Sequence, residues 1–407
     1  MMTDKFGDFP TVDEASQSNV TRLPLTIRPA RLVHPSLIPP RPWLYGTILM
    51  RGFITVTVAP GGVGKSQLAM AMAMASAVGK PILGHHIHHQ VNSWIFNLED
   101  PLDEMDRRLA ALMIRHDIAP EELENRMFMN SGRERALTIA KLSPDGTTVV
   151  FPDKDAILKE GRAAKIGHLV VDPYVRSHEL DENSNTQQAA AAAAWAQIAE
   201  ELNAAVHLVH HTRKGAVTDI DASRGAKALT DHARSGLILS SMPEEEAGTF
   251  GIPKEKRYAY IRLDDAKSNM APRADKANWF FLDPVQLHNG TPDYPNGDSV
   301  TAIVPWTPPS VFEGVSQYQI DEVLDRITDG FAPGVPYSPN AQGANNKRWV
   351  GTMVMDQLTL NKEQVKRILA TWSKNGVLEE FSYHDEATRK DQKGVKVNEA
   401  KRPGISI

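Results

Sequence analysis

Unbroken apolar runs, rather than strict alternation, mark the first two thirds of the chain. Four of them, residues 54–59, 91–98, 166–171 and 205–209, are rich in Val, Ile, Leu and aromatic side chains. Runs of that length and make-up belong to buried strands. Between them the pattern turns helical. Residues 68–75 alternate Ala and Met after Leu68, residues 102–116 set apolar and charged side chains at helical spacing, and the alanine-rich stretch 189–205 is helix by propensity. Strand and helix in turn predict an α/β fold with a doubly wound, mostly parallel twisted central sheet. Farther on, residues 237–240 and 257–263 read as edge strands, and 279–282 closes the sheet.

Proline and glycine divide the chain. Residues 1–22 are polar and aperiodic, which predicts a disordered arm. Six prolines between positions 23 and 43 predict an extended segment lying across a surface. Five more between 291 and 310 predict a linker. Beyond it, residues 319–327 read as helix and 330–346 as a loop. Residues 349–358 and 361–375 form a helix-turn-helix pair with Asn361 as N-cap, and 377–383 with 394–397 would make a β wing. The predicted division is an N-terminal arm over 1–35, a nucleotide-binding domain over 36–290, a linker over 291–312 and a small winged-helix-like domain over 313–407.

Composition narrows the function. The 407 residues carry 45 Lys and Arg against 50 Asp and Glu, so evidence for nucleic acid has to be local. From residue 341 onward 12 Lys and Arg face 8 Asp and Glu, a modest positive excess in the winged-helix-like region. Cysteine is absent, which excludes disulfides, zinc–thiolate sites and thiol catalysis. No apolar run approaches the ~18 residues of a membrane span. Asp4, Asp8, Asp13 and Glu14 precede the first apolar stretch, unlike a signal peptide. The expectation is a cytoplasmic protein with no membrane partner.

The chemistry gathers where the apolar runs end. After Ala59, the residues Pro60, Gly61, Gly62, Val63, Gly64, Lys65, Ser66 and Gln67 lie between a strand and a helix, the setting of a P-loop. Main-chain N–H groups there converge on phosphate, Lys65 reaches the β- and γ-phosphates, and Ser66 ligates Mg²⁺. ATP and Mg²⁺ are therefore the expected cofactors. The usual pattern begins with Gly, and Ala59 is tolerable there if its φ stays below zero. The third run closes on Asp172, a Walker B arrangement whose carboxylate holds the Mg²⁺. In many P-loop ATPases a water-orienting Glu comes next, but here Pro173 does. The carboxylate must then come from a neighbouring strand end, and Glu99 is the candidate. His210 and His211 compete as γ-phosphate sensor; strand alternation turns one to the site and one into a packed layer. His211 is favoured, because Thr212, Arg213 and Lys214 after it belong to a loop. Arg224 and Arg234 are both candidates for an arginine finger given to a neighbouring subunit. His85, His86, His88 and His89 read as a surface loop, since no matching carboxylate or Cys spacing accompanies them.

Taken in order, Ala59 to Ser66, Glu99-Asp100-Pro101, Val170-Val171-Asp172, His210 to Gly215, Ala222 to Gly225 and residues 262–269 carry a resemblance. The stretch from about 54 to 281 resembles the RecA-fold P-loop ATPases of the plasmid RepA type, relatives of the DnaB-like hexameric helicases. The resemblance implies a RecA-like fold and a homo-oligomer, usually a hexameric ring, with ATP at subunit interfaces and single-stranded DNA in the channel. It gives water activation to Glu99, metal binding to Ser66 and Asp172, sensing to His211 and the finger to Arg234, and it makes Arg108 a nucleotide contact. It also points residues 176–188 and 215–223 into the channel. Those loops are acidic here (Glu179, Asp181, Glu182, Asp219 and Asp221), whereas phosphate contact wants Lys or Arg. The C-terminal domain lies outside the resemblance and is expected to meet duplex DNA or a replication partner.

Overall fold

In the computed structural model, which describes residues 27, 29–30, 32–211, 226–271, 277–309, 312–340, 347–386 and 388–403, the apolar runs become neighbours in one nine-stranded sheet. In chain order its strands are β1 (Ile54–Ala59), β2 (Asn92–Asn97), β3 (Met127–Ser131), β4 (Ile166–Asp172), β5 (Ala205–His211), β6 (Ser235–Ser241), β7 (Tyr260–Ser268), β8 (Asn278–Gln286) and β9 (Ser299–Pro305). Their spatial order is β9-β8-β7-β6-β1-β5-β4-β2-β3. The six strands from β6 to β3 run parallel, and β7, β8 and β9 add an antiparallel extension.

The sheet corrects three expectations. Residues 237–240 do not form an edge strand: β6 pairs with β1 on one side and β7 on the other. A 3₁₀ turn, Lys254–Ala259, occupies the start of the stretch expected as strand from 257, and β7 begins at Tyr260. The proline-rich stretch expected as linker contains β9, which pairs with β8 along its whole length. Pro305 ends that strand at the sheet's outer edge, where a missing N–H breaks no ladder.

Two apolar layers cover the parallel strands. Along β1, Ile54, Val56 and Val58 join the layer of helix α3 (Asn185–Leu202), around Trp195. Ala59 joins the other, built on α1 (Lys65–Val78), which buries Leu68, Met70, Met72 and Met74 and ends on Gly79 in the left-handed region. Here α2 denotes Leu102–His116, whose Arg115 and His116 reach Asp283 of β8 and the Ile303 carbonyl of β9.

The described residues up to Arg41 form a unit of their own, with a 3₁₀ turn at Pro35–Leu37 in which His34 Nδ1 accepts from the Ser36 N–H. The arm over 1–22 lies outside the described residues, as do Arg213, Lys214, Arg224 and the loop 215–223. At the other end, α4 (Gln317–Asp329), α5 (Val350–Leu358) and α6 (Lys362–Lys374) pack with a hairpin of β10 (Leu378–Asp385) and β11 (Lys390–Val397). Val323, Val354, Ile368, Trp372 and Val395 share one core. Asn361 caps α6 by accepting from the Gln364 N–H, and Gln364 answers at the Asn361 N–H.

Candidate functional site

The phosphate loop starts where β1 runs out. Ala59 is the last, fully buried residue of that strand and pairs with His211 of β5. It is absent from the positive-φ residues, so the extended strand accepts Ala where the usual pattern has Gly. Gly62 and Gly64 carry the turn at φ 80° and 86°, where any other residue would be strained. Gly64 is the N-cap of α1, and a Cβ on it would stand 2.8 Å from Ile261 Cδ1. The loop therefore leaves the first N–H groups of α1 facing outward at the positive end of the helix dipole.

Lys65 is nearly buried and folds back over the loop, its Nζ donating to the Pro60 carbonyl at 2.8 Å. Burial lowers its pKa, while Asp172 and Glu99 pull the other way. Asp172 is buried at the end of β4, one strand beyond β5, with Asn97 of β2 opposite it. Burial pushes its carboxyl up to about 6, against the Ser66 hydroxyl that donates to it and the charge of Lys65. A buried carboxylate with a serine hydroxyl and too little positive charge fits a Mg²⁺ ion finished by phosphate and water. Among the described residues no cluster of three His, Asp or Glu forms a full metal cage, and a nucleotide-borne Mg²⁺ needs none.

Glu99 follows β2. Its main-chain N–H and that of Asp100 both donate to Asn97 Oδ1, and Arg133 Nε donates to its carbonyl at 2.6 Å. Its carboxylate meets Arg176 Nε at 2.9 Å and lies 3.7 Å from His211 Nε2. His211 is on the cleft side and half-buried; burial and Lys65 lower its pKa while Glu99 raises it. His210 points into the opposite layer, its ring 6.0 Å from that of Tyr174.

Lys65, Ser66, Gln67, Glu99, Arg108 and His211 line one cleft of about 670 Å³. Gln67 is buried and its Oε1 has no hydrogen-bond partner. Val63 turns into the core, and Pro60 contributes its carbonyl to Lys65, so these two shape the loop from behind. Arg108 donates to Asp100 at 2.7 Å and Glu104 at 3.0 Å. One wall was not foreseen: Leu282 of β8, Asp298, and Ser299, Val300 and Thr301 at the start of β9. Arg107 ties that wall to α2 through Asp298 at 3.1 Å. Two serine/threonine side chains and a valine in a proline-rich stretch gave no sequence signal for this place.

Arg234 is not in the cleft. It is exposed, and its N–H donates to the carbonyl of Ile54 at the beginning of β1. The P-loop leaves the other end of that strand, roughly 17 Å away at ~3.3 Å per residue.

Residues 24–217 match the family model described as AAA domain. Among solved structures, a KaiC-like protein from the hyperthermophilic archaeon Pyrococcus horikoshii aligns over 64% of this chain and 91% of its own, at 14% identity and a TM-score of 0.39. With a P-loop on β1, the Asp172 strand set apart from it by β5, and the AAA-domain match over the same residues, the sheet has the RecA-like P-loop NTPase fold.

Proposed function

We propose that this chain is an ATP-dependent DNA helicase or translocase of a plasmid- or phage-type replication system, working as a ring of its own copies. What supports this reading above all is that the cleft and Arg234 lie at opposite ends of the same strands. A finger there can serve only a neighbour's γ-phosphate, so each site needs a second copy.

Within one site the main chain from Gly61 to Ser66 cradles the phosphates and Lys65 neutralises the β- and γ-phosphates. A Mg²⁺ held by Ser66 and Asp172 would draw charge from the phosphate oxygens. Glu99 takes the proton of the attacking water, His211 reads the γ-phosphate, and Arg108 contacts the nucleotide. Three helices followed by a hairpin support reading the C-terminal domain as a winged helix, which would meet duplex DNA or a replication partner through α6.

The decisive assay is unwinding of a forked duplex together with ATP turnover. The wild-type chain unwinds, Lys65→Ala does not, and single-stranded DNA raises turnover. Turnover indifferent to DNA would sink the helicase reading. Glu99→Gln keeps ATP binding and loses turnover by a factor on the order of 10²–10⁴, the usual worth of a general base. A second reading, an ATPase switch or loader acting in replication or recombination without unwinding, is favoured by one observation. Glu179, Asp181 and Glu182, in the segment aimed at the channel, are all exposed. DNA-stimulated turnover without strand separation would select it.

A further inference from the structure

The segment after Asp172 does more than leave the sheet. Residues Tyr174–Ser177 make one 3₁₀ turn, and about three residues per turn brings the chain back beside its start. Since β4 and β2 are neighbours with Asn97 opposite Asp172, the turn sets Arg176 next to Glu99. Arg176 Nε lies 2.9 Å from Glu99 Oε1. Its side chain is 62% exposed and does not line the cleft, whereas Glu99 does. Arg176 thus holds the carboxylate from outside, while His211 faces Oε2 from inside at 3.7 Å.

The rest of Glu99 is already fixed. Asn97 takes its N–H and Arg133 its carbonyl, so the main chain cannot turn, and the freedom left is in the side chain. Glutamate has three such torsions, and a base must sit within hydrogen-bond reach of the water it activates. An exposed side chain without a second anchor would spread over several rotamers.

We infer that Arg176 is a positioning residue for Glu99, holding its carboxylate at the mouth of the nucleotide cleft. The inference rests on Glu99 as the water-activating group. Arg176 is not among the residues that line the cleft; it acts through Glu99. One short strand-to-turn segment therefore supplies the buried carboxylate that would hold the metal, Asp172, and the orientation of the base from without.

Single-turnover hydrolysis with enzyme in excess, alongside nucleotide titration, tests this on the full chain. Arg176→Ala should lower the hydrolysis rate roughly ten- to a hundredfold, the cost of misplacing a reacting group by about 1 Å. ATP and ADP affinity should stay within about twofold of wild type, and Arg176→Lys should restore part of the rate. In a Glu99→Gln background, Arg176→Ala should cost almost nothing more, because the group it positions is gone. A wild-type rate in Arg176→Ala overturns the inference, and so does a loss that multiplies fully with that of Glu99→Gln. Normal hydrolysis by Glu99→Gln alone removes Glu99 as the base, which is a different failure and is read from a different variant. An exposed ion pair contributes little to folding, so the variant should melt near wild type.

Discussion

Four histidines, 168, 178, 207 and 210, are buried beside the parallel strands. His168 and His207 stack at 6.2 Å beneath α1, held by Ser76 Oγ at 3.2 Å and Thr57 Oγ1 at 2.7 Å. Burial lowers the pKa of His168 to about 3 and of the other three to about 4. Each is neutral when folded and free to take a proton when unfolded, at a pKa near ~6.5. Their folded pKa values are depressed, so the unfolded chain binds more protons below pH ~6.5. Stability is full above that value and is lost as pH falls toward about 4. Between pH ~7 and ~5.5 each histidine should withdraw about 1 kcal/mol. Urea unfolding at those two values should show the loss, and a His168→Gln/His207→Gln double variant should show a shallower pH slope than wild type. An unchanged slope would clear this pair of responsibility.

At the scale of the element, what could be read from the chain depended on how each strand is covered. β1, β2, β4 and β5 are central and bury nearly every side chain, so their apolar runs are unbroken. The strand ends they align, Glu99, Asp172 and His211, were legible for the same reason. β3, with sequence Met-Phe-Met-Asn-Ser, is a half-buried edge that shows neither run nor alternation. β9 was hidden by the prolines around it, although none falls among residues 299–304. Arg176 was out of reach because its role depends on β2 and β4 being neighbours, which no local pattern states. The position of β9 has a consequence for binding. Val300 lines the same cleft as Lys65 and Gln67, where it can cover apolar parts of a nucleoside. Val300→Ala removes about 1 kcal/mol of that contact. A titration should find ATP and ADP both weakened about fivefold with the maximal turnover rate kept. Unequal losses would place Val300 near the phosphates instead.

On the scale of the whole molecule, one copy cannot bring Arg234 to its own phosphates. β1 and β6 run parallel with Ser235 opposite Thr55, so the segment entering β6 is fixed at the end away from the P-loop. Rotating a side chain recovers only a few of the roughly 17 Å involved. If Arg234 acts on ATP at all, it acts on a neighbour's, and the two lesions then fall on different faces of a subunit. Lys65→Ala destroys the cleft and spares the finger, while Arg234→Ala does the reverse. In a mixed ring, the interface between a Lys65→Ala subunit giving its arginine and an Arg234→Ala subunit giving its cleft is intact. Neither variant alone should turn over ATP appreciably, since a missing finger costs on the order of 10³-fold or more. Mixed at equal amounts under conditions of subunit exchange, a random ring has about one interface in four of the intact kind. Turnover should rise well above either parent, peak near the equal mixture and fall on both sides of it. Turnover that only interpolates between the parents at every ratio would show that Arg234 completes no neighbouring site.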